Sequence, residues 1–147
     1  MPTPIQIPPV YIALLFPCMW IFVLFIISRS GWGRLAERYK TDEAFTGTRI
    51  GIISAGINRA NYNNSLILKY NEDGIYLKTM LIFRLFHPPL LIPWSEIKEV
   101  TDMKLLFFKF KMLSIGEPAA AVIKLRESTY NKLKDAAPMN AYLFTKD

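Results

Sequence analysis

The sequence predicts an α+β chain, mainly β: one N-terminal transmembrane helix, then a curled antiparallel sheet of about seven strands closed by a C-terminal helix. Three observations predict it. Val10 to Ser28 (VYIALLFPCMWIFVLFIIS) runs 19 residues without a charge. The chain after Thr48 breaks into short alternating segments separated by Gly, Asn, Asp and Pro. A last segment, from Ser128 to about Ala137, has helical spacing and stops at Pro138. A sheet of that size must curl to bury its apolar face, and one helix can plug the open end.

The apolar run fixes where the chain sits. At ~1.5 Å per residue it is ~28 Å long, which matches a ~30 Å hydrocarbon core. Pro8 and Pro9 precede it in an extended, uncharged N-terminus (residues 1–9), and Pro17 inside it is expected to kink the helix, as membrane helices tolerate. Tyr11 and Trp32 fall near the two ends, and Trp20 lies deeper. Arg29, Arg34, Arg38 and Lys40 follow the run and no Lys or Arg precedes it. The positive-inside rule then predicts an external N-terminus and a cytoplasmic C-terminal domain. A cleaved signal peptide fits poorly, because the n-region is uncharged and bulky Phe25-Ile26-Ile27 stands where small residues belong. Cys18, the single cysteine, lies in the run, so an intramolecular disulfide and a cysteine metal cluster are excluded.

Residues 29–47 form the juxtamembrane segment. Trp32, Leu35, Ala36 and Tyr39 share one helical face, while Arg34 and Arg38 share another. Two readings stand. One is an amphipathic helix on the inner leaflet, with Trp32, Arg34 and Arg38 at the membrane interface. The other is a continuation of the membrane helix that packs on the domain. Lys40 to Gly47 reads as a polar linker.

The domain, residues 48–147, begins with a strand at Thr48–Ser54, followed by a polar loop at Ala55–Asn64. Ser65–Tyr70 and Gly74–Met80 flank an Asp-Gly turn and read as a hairpin whose second strand continues into Leu81-Ile82-Phe83. Leu90–Pro93 and Val100–Met103 are short strands. Leu106–Met112 alternates, with Leu106, Phe108, Phe110 and Met112 opposed to Lys109 and Lys111. Ala121–Arg126 opposes Ile123 and Leu125 to Lys124 and Arg126. Ser128 caps the final helix, and Met139–Phe144 is an apolar tail expected to pack back.

This order of elements resembles the pleckstrin-homology-like (PH-like) fold. His87 to Val100 (HPPLLIPWSEIKEV) is similar to the strand, turn and Ile-x-x-Val segment of bacterial PH-like domains attached to membrane helices. Most of the chain resembles a group of small uncharacterised bacterial single-pass membrane proteins. The likeness lies in Gly31–Tyr39, in Asn61–Asn64, in Phe83-Arg84 and in His87–Leu90. The resemblance implies a fold and lends no activity. It also marks a departure: phosphoinositide-binding PH domains carry a Lys/Arg cluster at the first hairpin loop, where this chain has only Arg59 among asparagines.

The chain carries a net charge of +6, which favours anionic partners. Candidate binding residues are Arg59, Asn61 and Asn63 in the polar loop, Arg84 with His87, and an outward basic set of Lys109, Lys111, Lys124 and Arg126. The single His87, extended ahead of Pro88, cannot build a multi-histidine metal site. Leu85-Phe86 is expected in the core, with contact to bilayer or partner as the alternative. Trp94-Ser95-Glu96 lacks the elbow of a nucleophilic serine, and no phosphate or dinucleotide loop occurs. The expectation is a non-enzymatic module without cofactor or metal. Its expected partners are membrane lipids and a protein, not nucleic acid. An accessory subunit that docks through its membrane helix is the alternative.

Overall fold

The structure, a computed structural model, describes residues 2–136. The first helix, α1, spans Pro9–Arg29, with proline in its first turn where no backbone N–H is needed. It is apolar all round and nearly bare: Leu24 and Ser28 are its only buried residues. A helix in the core of a soluble protein would be covered. Each Leu, Ile or Phe left in water forgoes about 1.5–3 kcal/mol, and a bilayer removes that penalty. α1 is long and apolar enough to cross a membrane.

The second helix, α2 (Trp32–Tyr39), follows after a two-residue break. Its apolar face belongs to the core: Trp32 and Leu35 are fully buried and Tyr39 nearly so. Gly31 makes the tight join possible, because a Cβ there would meet the Ile57 side chain at 2.7 Å. Of the two readings, packing on the domain is what occurs, but through a separate helix and not a continuation of α1, and Trp32 is a core residue, not a membrane-interface one. Its ring is enclosed, and its Nε1–H donates to Pro88 O at 3.0 Å. The core begins at Trp32, ahead of the first strand.

Seven strands make one antiparallel sheet in the order β4-β3-β2-β1-β7-β6-β5. They are β1 (Thr48–Ile57), β2 (Ala60–Tyr70), β3 (Gly74–Thr79), β4 (Leu90–Pro93), β5 (Ile97–Leu105), β6 (Phe108–Ile115) and β7 (Ala121–Arg126). The helix α3 (Glu127–Ala136) covers β6 and β7 through Tyr130 and Leu133. The sheet curls around an apolar interior in which Leu66, Leu68, Leu77, Leu90, Ile92, Ile115 and Ile123 meet α2 and α3. The expected tail at Met139–Phe144 lies outside the described residues.

Four local expectations are corrected. The polar loop at Ala55–Asn64 is a hairpin: Ile57 pairs with Ala60, leaving only Asn58 and Arg59 to turn. Ala55, Ile57 and Tyr62 point inward while Asn61 and Asn63 point out, so outward-facing asparagines disguise two strands as a loop. Leu81–Phe83 is a 3-10 turn, not a strand. The β2 strand bulges at Asn64, which sits at φ 47° with its N–H bonded to Ser54 Oγ at 2.8 Å, so β3 loses its partner edge beyond Ser65.

β5 is twice the expected length, and the following turn falls at Leu106-Phe107, inside what reads as one strand. Finally, Leu113 and Ile115 face the core, which puts Lys109 and Lys111 on the inward side of β6. Phe108, Phe110 and Met112 share the outer face with Lys124 and Arg126, their cross-strand neighbours.

Candidate binding face

The chemistry gathers on the outer face, where β2, β1, β7 and β6 lie side by side. Gly56 is the reason for a depression there. It pairs with Asn61 on one flank and Lys124 on the other, and has no side chain to fill the space between them. A Cβ at Gly56 would stand 3.1 Å from Lys124 Cε and 3.2 Å from Asn61 Oδ1. The resulting hollow of about 190 Å³ is walled by Asn61, Asn63, Phe110, Lys124 and Arg126.

Both cations are held by rings. Lys124 Nζ lies 5.2 Å from the Phe110 centroid, and Arg126 Cζ lies 5.9 Å from that of Phe108. Each such contact contributes ~0.5–1 kcal/mol at an exposed site. Among the described residues neither forms an ion pair with a carboxylate. Two cations and two side-chain amides around a glycine floor can receive carboxylate or phosphate oxygens. The hollow is too shallow to enclose a small molecule, which suits an extended surface better.

The strip continues into the β5–β6 turn. Leu105, Leu106, Phe107 and Phe108 are all exposed there, Phe107 at 95%. The turn points away from α1. Asn58, in the β1–β2 turn, donates to Ser30 O just past α1, and the row Ile57–Ile123–Leu113 lies beside it. From Leu113 to Phe107 the chain runs six residues in the opposite direction, ~20 Å at strand rise.

The other candidate residues are elsewhere. Arg59 is exposed in the β1–β2 turn at the α1 end. Lys109 is exposed opposite Lys104. Lys111 is engaged: its ammonium pairs with Asp102 at 2.5 Å and lies 5.2 Å from the Tyr130 centroid, with a side chain only 14% exposed. Arg38 donates to Pro118 O at 2.9 Å, while Arg34 is exposed.

Arg84 and His87 do not share a site. Arg84 is exposed; His87 is buried, 1% accessible, between Trp32 and Tyr62, whose ring centroids lie 5.4 and 5.6 Å away. Its Nδ1–H donates to Leu85 O at 2.9 Å, because a carbonyl can only accept. Nε2 then accepts from the Tyr62 hydroxyl at 3.0 Å. Burial holds the imidazole below its ordinary value, outweighing the upward pull of the Leu85 and Phe83 backbone. Burial likewise pushes the Tyr62 hydroxyl far above its usual range. With both nitrogens occupied, His87 fixes the β3–β4 connection and has no valence left for a ligand. No group of three metal-ligating side chains occurs among the described residues.

Sequence reasoning missed Asn58, Gly56 and the outward phenylalanines. Asn58 sits at φ 53°, a conformation asparagine tolerates. It ties three elements together: Nδ2 donates to Ser30 O at 3.0 Å, Oδ1 accepts from Val122 N at 2.9 Å, and its own N–H donates to Val122 O. No family model matches the chain, and no curated protein or solved structure is significantly similar to it.

Proposed function

We propose that this chain is a membrane-anchored, non-enzymatic binding module. In this reading α1 spans a bacterial inner membrane with its N-terminus outside, and a PH-like domain in the cytoplasm binds an acidic, apolar-bearing segment of a protein partner. The observation that carries the reading is the outer strip itself. Lys124 and Arg126 stand on Phe110 and Phe108 without a carboxylate partner among the described residues, around the Gly56 hollow, and the strip runs into an apolar turn aimed away from α1. An acidic segment with apolar residues would satisfy both parts at once. Anchoring supports the idea, because a chain confined to the membrane meets a co-confined partner at high effective concentration.

A photo-crosslinking residue in place of Phe107 in the full-length chain, activated in native membranes, tests the proposal. A discrete protein adduct that disappears in the Lys124→Glu/Arg126→Glu double variant is expected. Adducts to lipid alone, or a protein adduct indifferent to those charge reversals, would contradict it.

A further inference from the structure

The β3–β4 connection lies along α1. Trp20 precedes Arg29 by nine residues, or ~14 Å on the helix axis, and its Nε1–H reaches Ile82 O at 3.4 Å. Its ring packs on Phe83 with centroids 5.5 Å apart. Phe25, ~6 Å from Arg29 along the same axis, meets Phe86 edge-on at 5.4 Å. The connection thus descends beside α1 through a depth close to that of one leaflet, ~15 Å of hydrocarbon. Yet Leu81 and Ile82 are 76% and 63% exposed, and Leu85 and Phe86 are exposed too. Core burial, the sequence-based expectation for Leu85-Phe86, does not occur.

We propose that this connection is a second membrane element, with Leu81, Ile82, Leu85 and Phe86 among the acyl chains of the leaflet on the domain's side of α1. The proposal rests on α1 spanning the bilayer. Given that, the partners are fixed by depth: whatever flanks Trp20 and Phe25 on this side occupies the hydrocarbon layer with them.

The chemistry of the segment suits that medium. An indole N–H in hydrocarbon needs an acceptor, and at Trp20's depth only protein can supply one; Ile82 O does. The backbone turns on itself: Phe83 N bonds Met80 O, Arg84 N bonds Leu81 O, and His87 N bonds Arg84 O, at 2.9–3.2 Å. Met80 N bonds Ser65 O on the sheet. Phe86 holds φ 63°, a conformation costly for a bulky residue, and in it the ring reaches Phe25. The one charge in the segment is Arg84, which is exposed. Its long stem lets the guanidinium stay at the headgroups while the apolar neighbours go deeper. The root is rigid, because His87 is clamped by Tyr62 and Trp32. A helix alone would leave the domain free to swivel. A second insertion point fixes which face of the sheet looks away from the membrane.

Spin labels on the full-length chain, in a Cys18→Ala background reconstituted in phosphatidylcholine–phosphatidylglycerol vesicles, give the test. Labels go at Leu81, Ile82 and Phe86, with Leu15 in α1 and Phe107 as references. The expected result is that oxygen collisions exceed those with a water-soluble nickel chelate at Leu15 and at the three connection sites, and that the order reverses at Phe107. Hydrocarbon-like readings at Leu15 with aqueous ones at all three connection sites would overturn the proposal and leave the anchor standing. Labels at the connection shielded from both reagents would also overturn it, pointing to a protein cover. An aqueous Leu15 would remove the anchor and this proposal together.

Discussion

The β3–β4 connection and the β5–β6 turn each bring four large apolar residues to the surface, Leu81, Ile82, Leu85 and Phe86 in one and Leu105–Phe108 in the other. Their surroundings differ. The first is rooted in a buried cluster of Trp32, Tyr62 and His87 and lies against rings from α1. The second stands ~20 Å along the strands in the other direction, between Lys104 and Lys109 and next to the Lys124–Arg126 strip. Exposure alone would assign both the same role. Position relative to the one apolar helix, and the number of cations around each, separate the element proposed to meet lipid from the one proposed to meet a partner.

The largest expected contrast is in stability. Trp32→Ala removes a fully buried indole from the root of the first tip and strands Pro88 O, so it should cost about 3–5 kcal/mol in denaturant unfolding of the full-length chain in detergent. Phe107→Ala, at the second tip, should stay within about 0.5 kcal/mol. Equal losses would erase the distinction between a rooted and a free tip.

Asn58→Ala comes next. It deletes two side-chain hydrogen bonds and leaves a left-handed backbone without asparagine's tolerance, for an expected loss of about 1–3 kcal/mol in the same assay. A neutral result would mean that the joint between α1, the β1–β2 turn and β7 is held elsewhere.

A pH effect should follow from His87. Its folded pKa lies below the ordinary 6.5, so between those two values the unfolded chain binds more protons than the folded one. Stability should be complete above about pH 6.5 and decline as the pH drops through that window. Unfolding midpoints between pH 7.5 and 5 check this, with His87→Gln expected to flatten the decline. A midpoint that rises on acidification would contradict the buried, neutral imidazole.

Gly56→Ala is the mildest. It fills the hollow against the flexible end of Lys124 and should shift stability by less than about 1 kcal/mol while weakening the crosslink formed from Phe107. An undiminished crosslink would place recognition outside the hollow.

The architecture was legible from two signals: an uncharged run of bilayer length, and alternation bounded by turn residues. α1, β4 and β7 lie within a residue or so of where the sequence puts them; α3 starts at Glu127, so Ser128 lies inside its first turn and is not its cap. The hairpin at Asn58-Arg59 was hidden because its outward positions are asparagines, which read as loop. The face of β6 was inverted because three aromatic or thioether residues, Phe108, Phe110 and Met112, point outward, while Lys111 turns in toward Asp102 and Tyr130. Alternation gives the period but not the phase; Leu113 and Ile115 set the phase, and they lie beyond the segment first read as the strand. Of the candidate residues, Asn61 and Asn63 meet Lys124 and Arg126 only because β1 separates β2 from β7 with a glycine between them. Such proximity depends on sheet order, which local pattern does not encode.

One paired measurement tests the account most directly. The same photo-reactive residue is placed at Phe86 in one full-length protein and at Phe107 in another, and both are irradiated in native membranes. The account predicts phospholipid adducts from position 86 and a discrete protein adduct from position 107. Protein adducts from 86 with lipid adducts from 107, or the same product from both, would contradict it.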